Sequence, residues 1–211
     1  MNIRRFFLPL LFALPVAGCS SLLNVQRQPF TIYSPNLDAA ATPAAGPRVD
    51  WQLAVETPLA SDVLDSARIA VMPTPGVLEV FPAARWRDPA PALLRSLVVQ
   101  GFENSGRIVG VGSAASGLRA DYALSIGLHD FQLELRAGTP HAVVRFQAQV
   151  RDYTSNRVLA TRAFAEDAPA AGTDAGNAFA AFEVALNKII PELVDWTLRE
   201  GEAAHTKAPG A

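Results

Sequence analysis

The residue best placed to do chemistry in this chain is Cys19, its one cysteine, which closes Val16-Ala17-Gly18-Cys19 directly behind an apolar run. A thiol just after small residues is what acyl transfer to sulfur followed by cleavage requires, so Cys19 reads as a lipid-attachment site. The stretch ahead of it has the parts of a secretory signal: basic Arg4 and Arg5, an apolar core from Phe6 to Val16, and small residues at the cut. That core is shorter than the roughly 20 apolar residues needed to span a bilayer. The plainer alternatives are a buried thiol without a role and ordinary signal cleavage at a nearby Ala. Arg4-Arg5-Phe6-Phe7-Leu8 also resembles a twin-arginine export signal, but Ile3 and Pro9 depart from that pattern and favour the general secretory route. Ser20 stands where an Asp would retain an enteric lipoprotein at the inner membrane, which points to the periplasmic face of the outer membrane. No cofactor is expected beyond covalent acyl and diacylglycerol lipid, palmitate included, on Cys19.

Other chemistries are weakly supported. Gly110-Val111-Gly112-Ser113-Ala114-Ala115 has the loose form of a dinucleotide-binding loop after a strand, yet Ser116-Gly117-Leu118-Arg119 leaves no room for the helix whose N-terminus would hold a pyrophosphate. There is no Gly-x-Ser-x-Gly elbow. His129 and His141 fall at a suspected bulge and a strand end and His205 in the tail, so surface roles are expected of all three, with no third ligand spaced to complete a metal site. Glu166-Asp167 lies in loop-like sequence and reads as solvated. No catalytic constellation stands out. Arg85-Trp86-Arg87-Asp88-Pro89 has two readings: Trp86 as a core anchor with a solvated rim, or Arg85 and Trp86 as a partner contact, since Trp and Arg are enriched at binding hot spots.

The elements that must position these residues follow from periodicity. Cleavage ahead of Cys19 leaves roughly 190 residues, enough for one domain with a sizeable core. Losing Arg4 and Arg5 makes the formal net charge of −2 more negative, so nothing invites nucleic acid. With the cysteine acylated, no disulfide remains. The divisions read as a signal peptide over 1–18, a tether over 19–29, a domain over 30–200 and a disordered tail over 201–211. Within the domain, Phe30 to Tyr33 reads as a strand, Asn36 to Asp50 as an irregular Ala/Pro-rich connection, and Trp51 to Glu56 as a half-buried strand. Arg68 to Met72 and Val77 to Phe81 form a strand, turn and strand. A first helix is expected with Asp88 as N-cap and Pro89 at its first position, an apolar stripe of Leu93, Leu94, Leu97, Val98 and Phe102, and a stop at Asn104-Ser105-Gly106. Arg107 to Val111 resumes a strand. Tyr122 to Leu135 alternates in two phases, Leu124, Ile126 and Leu128 and then Phe131, Leu133 and Leu135, so a bulge is placed at His129-Asp130. Val144, Phe146, Ala148 and Val150 face inward on the next strand, which a turn over Asp152 to Asn156 joins to Arg157 to Phe164. A second helix from about Asp174 to Leu198 carries Phe179, Phe182, Leu186, Ile189, Leu193 and Trp196 on one face, with a kink expected at Pro191. The fold class is therefore α/β: a mixed β-sheet carrying two main amphipathic helices in a single domain, with six or seven strands.

This order of features resembles the auxiliary lipoproteins of ABC-type transport systems, the PqiC-like group that accompanies MCE-domain lipid transporters. The resemblance is carried by the motif at Cys19, the early Phe30-Thr31-Ile32-Tyr33 strand, the Arg68 to Met72 segment, Arg85-Trp86 ahead of Asp88-Pro89 and a Leu-rich helix, the long strand through Phe131, the Phe146 to Phe164 hairpin and the terminal amphipathic helix. It implies a non-enzymatic periplasmic domain, tethered to the outer membrane by its lipid. The implied partners are an MCE-domain protein and, through it, an ABC permease and ATPase. Two other classes remain open: a structural or envelope-assembly lipoprotein binding cell-wall or secretion machinery, and a lipid carrier with its own apolar cavity.

Overall fold

The computed structural model describes residues 29–38 and 46–207, which form one mixed sheet of eight strands and two long helices. The strands are β1 (Thr31–Tyr33), β2 (Val49–Val55), β3 (Arg68–Thr74), β4 (Val77–Trp86), β5 (Ile108–Ser113), β6 (Tyr122–Arg136), β7 (Thr139–Asp152) and β8 (Val158–Pro169); the helices are α1 (Ala90–Ser105) and α2 (Ala175–His205). The path β1-β4-β3-β6-β2-β5 runs through β6, whose other edge carries β7 and then β8. Pairs β1/β4, β3/β6, β2/β6 and β2/β5 are parallel, and β3/β4, β6/β7 and β7/β8 antiparallel. The expected class holds, with one strand more than the upper estimate.

The bulge lies where the phase change in β6 placed it. Leu128 pairs with Phe146 and Asp130 with Arg145, leaving His129 as the extra residue. Because side chains alternate along a strand, one inserted residue exchanges the two faces. Leu124, Ile126 and Leu128 before it and Phe131 after it therefore all enter the core. Phe131 stacks on Phe182 of α2 at 4.9 Å. Val144, Phe146, Ala148 and Val150 of β7 are buried on the same side, as expected.

Both helices bury their predicted stripes; Phe179, at the rim, is half-buried and packs on Tyr33 at 5.0 Å. Helix α1 begins one residue later than expected. Pro89, in an extended conformation, is the N-cap and Ala90 the first helical residue, while the Asp88 carboxylate pairs with Arg87 at 2.9 Å and caps nothing. Its far end is closed by Gly106 in the left-handed region, φ 60°, as the sequence required. Asp174 caps α2 by accepting from the Gly176 and Asn177 amides. Helix α2 continues through Pro191 and past Gly201, where a tail was expected, to His205. That last turn is held in place: Gly201 lies so close to the Trp51 ring that a Cβ would sit 2.5 Å from it, Trp51 Nε1 donates to Glu202 at 3.1 Å, and Tyr122 faces His205.

Candidate partner-contact site

Cys19 and the 20–28 stretch of the tether fall outside the described residues, so the lipid-attachment reading rests on the sequence. The described residues do place Arg85 and Trp86, and they separate them. Both are at the end of β4, on opposite faces because they are neighbours on a strand. The Trp86 indole is fully buried, packed edge-on against Phe131 at 5.5 Å and Phe182 at 5.1 Å. Its backbone amide donates to the Ala67 carbonyl at 2.7 Å, while its Nε1 has no hydrogen-bond partner among the described residues. A ring with no exposed surface offers nothing to a partner, so Trp86 is a core anchor and the contact reading is withdrawn for it.

Arg85 points away from the helices. The register of β1 on β4 sets Ile32 beside it, and the register of β4 on β3 sets Arg68 directly opposite. The result is a cross-strand row, Ile32, Arg85 and Arg68. The Arg85 guanidinium also lies 5.5 Å from the centre of the Phe30 ring, a cation–π distance. Phe30 and Ile32 are 55% and 53% exposed, high for large apolar side chains. Around them is an open groove of about 450 Å³ lined by Phe30, Arg68, Phe81 and Arg85 with Ser66 and Pro82 among others, and by no carboxylate among the described residues. Neither Arg68 nor Arg85 forms an ion pair among the described residues. Sequence reasoning found Arg85 but missed Arg68, Phe30 and Ile32 as its neighbours, because only strand register brings them together.

The same face carries a second, closed cluster on β6, β7 and β8. Asp167 accepts from His141 Nδ1 at 2.7 Å and pairs with Arg136, which also reaches Glu134. Arg145 bridges Asp130 at 3.2 Å and Glu134 at 3.7 Å, and Gln132 donates to both of those carboxylates. Partial burial works to raise the Asp167 pKa, but the bonds and charges of His141 and Arg136 outweigh it and hold the carboxyl below its ordinary value. The Arg136 pKa is raised, first by its bond to Glu134. Glu166-Asp167, expected in a solvated loop, is thus a paired stretch of β8, with Glu166 turned to Lys188 of α2 at 3.0 Å.

The remaining candidates are placed as follows. His129 is exposed at the bulge; His205, expected in a tail, is in the last turn of α2, 3.4 Å from the Tyr122 hydroxyl and 3.7 Å from Asp50. Among the described residues, no three His, Cys, Asp or Glu side chains converge as metal ligands. Gly110 and Gly112 are inside β5, followed only by a three-residue 3-10 turn at Ala114–Ser116, so the glycine pattern is strand and connection.

A mixed sheet with both helices on one face and charged side chains on the other defines a two-layer α/β class of domain. Within that class the chain belongs to the family of ABC-type transport auxiliary lipoprotein components, whose model matches residues 33–194. The crystal structure of a Xanthomonas campestris protein is similar, 38% identical with a TM-score of 0.79, over 84% of this chain and 99% of that one. An uncharacterised protein (14% identity, TM-score 0.55, 84% and 98% covered) and a hypothetical protein from Chlamydia trachomatis (11%, 0.50, 72% and 97%) share the fold. No curated protein matches the chain. Membership makes this an accessory component of an ABC-type transport system and a membrane-anchored envelope lipoprotein.

Proposed function

We propose that the chain is the outer-membrane-anchored, periplasmic lipoprotein of an ABC/MCE-type intermembrane lipid transport system, docking the MCE assembly to the outer membrane. The observation that carries the reading is the family match across residues 33–194, nearly the whole folded domain. The Val16-Ala17-Gly18-Cys19 motif supports the anchor, and Ser20 supports the outer membrane. The energy for transport comes from the ABC ATPase, and this domain contributes binding. Arg85, with the strand faces, is its contact surface within the envelope.

The test is gentle solubilisation of native membranes after brief crosslinking, recovery of the tagged lipoprotein and identification of what accompanies it. An MCE-domain protein with its permease is expected. Their reproducible absence, with cell-wall fragments or secretion machinery in their place, overturns the reading.

A further inference from the structure

We infer that the Ile32–Arg85–Arg68 row with Phe30 is a membrane-contact surface, which seats the domain on the phospholipid phosphates of the bilayer that holds its own anchor. The inference rests on the lipid-anchor reading of Cys19.

Three observations carry it. The first is charge. Arg68 and Arg85 are cross-strand partners on antiparallel strands, where like charges oppose each other. Among the described residues no carboxylate lines their groove. Two cross-strand arginines that line one groove with no ion-pair partner among the described residues are suited to an anion, and the guanidinium fork matches phosphate oxygens in two-bond geometry. The second is the company they keep. Phe30 and Ile32 stand exposed beside the arginines, and an apolar residue next to a basic one is the composition that settles at the headgroup boundary. The third is position. The chain enters the fold at Phe30, and the segment from Cys19 to Phe30, even fully extended, reaches at most about 40 Å. The tether therefore keeps the row within about 40 Å of the anchored Cys19, at high effective concentration for the bilayer.

The experiment compares hydrogen exchange of the purified full chain in vesicles of phosphatidylethanolamine and phosphatidylglycerol with the same chain in maltoside micelles, which carry no phosphate. The expected result is at least tenfold slower exchange of β1 and β4 amides in vesicles, with α2 amides unchanged. In the R68Q/R85Q variant the equilibrium constant for seating falls about thirtyfold, at roughly 1 kcal/mol per arginine, and most of the slowing disappears. R68K/R85K keeps most of it, and α2 exchange reports that each variant is folded. Equal exchange in vesicles and micelles overturns the inference, as does slowing that survives in R68Q/R85Q. Equal protection by inorganic phosphate alone also overturns it, making the row a small-anion site. Intact mass reports the anchor separately: an unacylated Cys19 with β1 protected refutes the anchor and supports the contact, and an acylated Cys19 without protection refutes the contact alone.

Discussion

Replacing Trp86 and Arg85 separately should give opposite results, because one side chain builds the core and the other does not touch it. Trp86 is fully buried between Phe131 and Phe182. At about 25 cal/mol per Å², a Trp burying about 250 Å² is worth roughly 6 kcal/mol at most. Its unpartnered Nε1 takes back about 1–3 kcal/mol. The balance agrees with the roughly 3–5 kcal/mol usual for truncating a buried aromatic to Ala. In a domain of this size, W86A should therefore lower Tm by about 6–20 °C. W86F retains a ring against Phe131 and Phe182 and removes the unpaired N–H, so it should cost only about 1–2 kcal/mol. R85A should shift stability by less than about 0.5 kcal/mol. Urea and thermal unfolding followed by circular dichroism, alongside recovery of partners by W86F and R85A, check the series. An unchanged midpoint in W86A, or loss of partner recovery by a stable W86F, would refute the core assignment.

Other expectations follow from particular contacts. C19S should move the protein from the membrane to the soluble envelope fraction, read by fractionation and intact mass. G201A should destabilise by about 1–3 kcal/mol through overpacking, although Ala is the better helix former by about 1 kcal/mol, because its Cβ would meet the Trp51 ring; unfolding midpoints decide it. Tyr122 has its pKa raised, first by burial and then by Asp121, Asp152 and Glu202. The unfolded chain thus ionises first, so this stabilisation is complete below about pH 10 and is lost as pH rises through the folded value; Y122F should flatten the alkaline limb. Asp167 has the opposite sign: its folded pKa is depressed, so its contribution is present above about pH 3.9 and lost as pH falls through the folded value, and D167N should remove that part of the acid limb.

What the sequence made legible is what local periodicity controls. The two stripes on α1 and α2 and the inward set on β7 repeat at 3.6 and 2, and the bulge at His129 shows as a change of phase within one strand. What it hid depends on pairing between distant segments. Ala, Asp and Pro around Glu166-Asp167 have low strand preference, yet β7 pairs with them residue by residue, Val144 with Glu166 and Val143 with Asp167. Small and polar residues after Gly201 looked like a tail, because the Trp51 ring that covers Gly201 lies 150 positions earlier. The two readings of Trp86 were inseparable for the same reason: the residue is buried by Phe131 and Phe182, neither of them local.

The face turned away from the helices carries two charged groupings, and they differ in what they can still do. Around Asp167 each charge meets another on the protein: Arg136, His141, Glu134, Arg145 and Asp130 satisfy one another. Recruiting such a group to a partner means breaking bonds already made, and exposed pairs of this kind return about 1 kcal/mol at most. Arg68 and Arg85 have made no such bonds among the described residues, and as like charges on paired strand positions they gain from any anion that enters the groove they both line. The grouping with fewer contacts is therefore the one with more to contribute to binding. It lies beside β1, where the chain enters the fold, so the surface whose charges the described domain leaves unmatched is the one reached first from the tether.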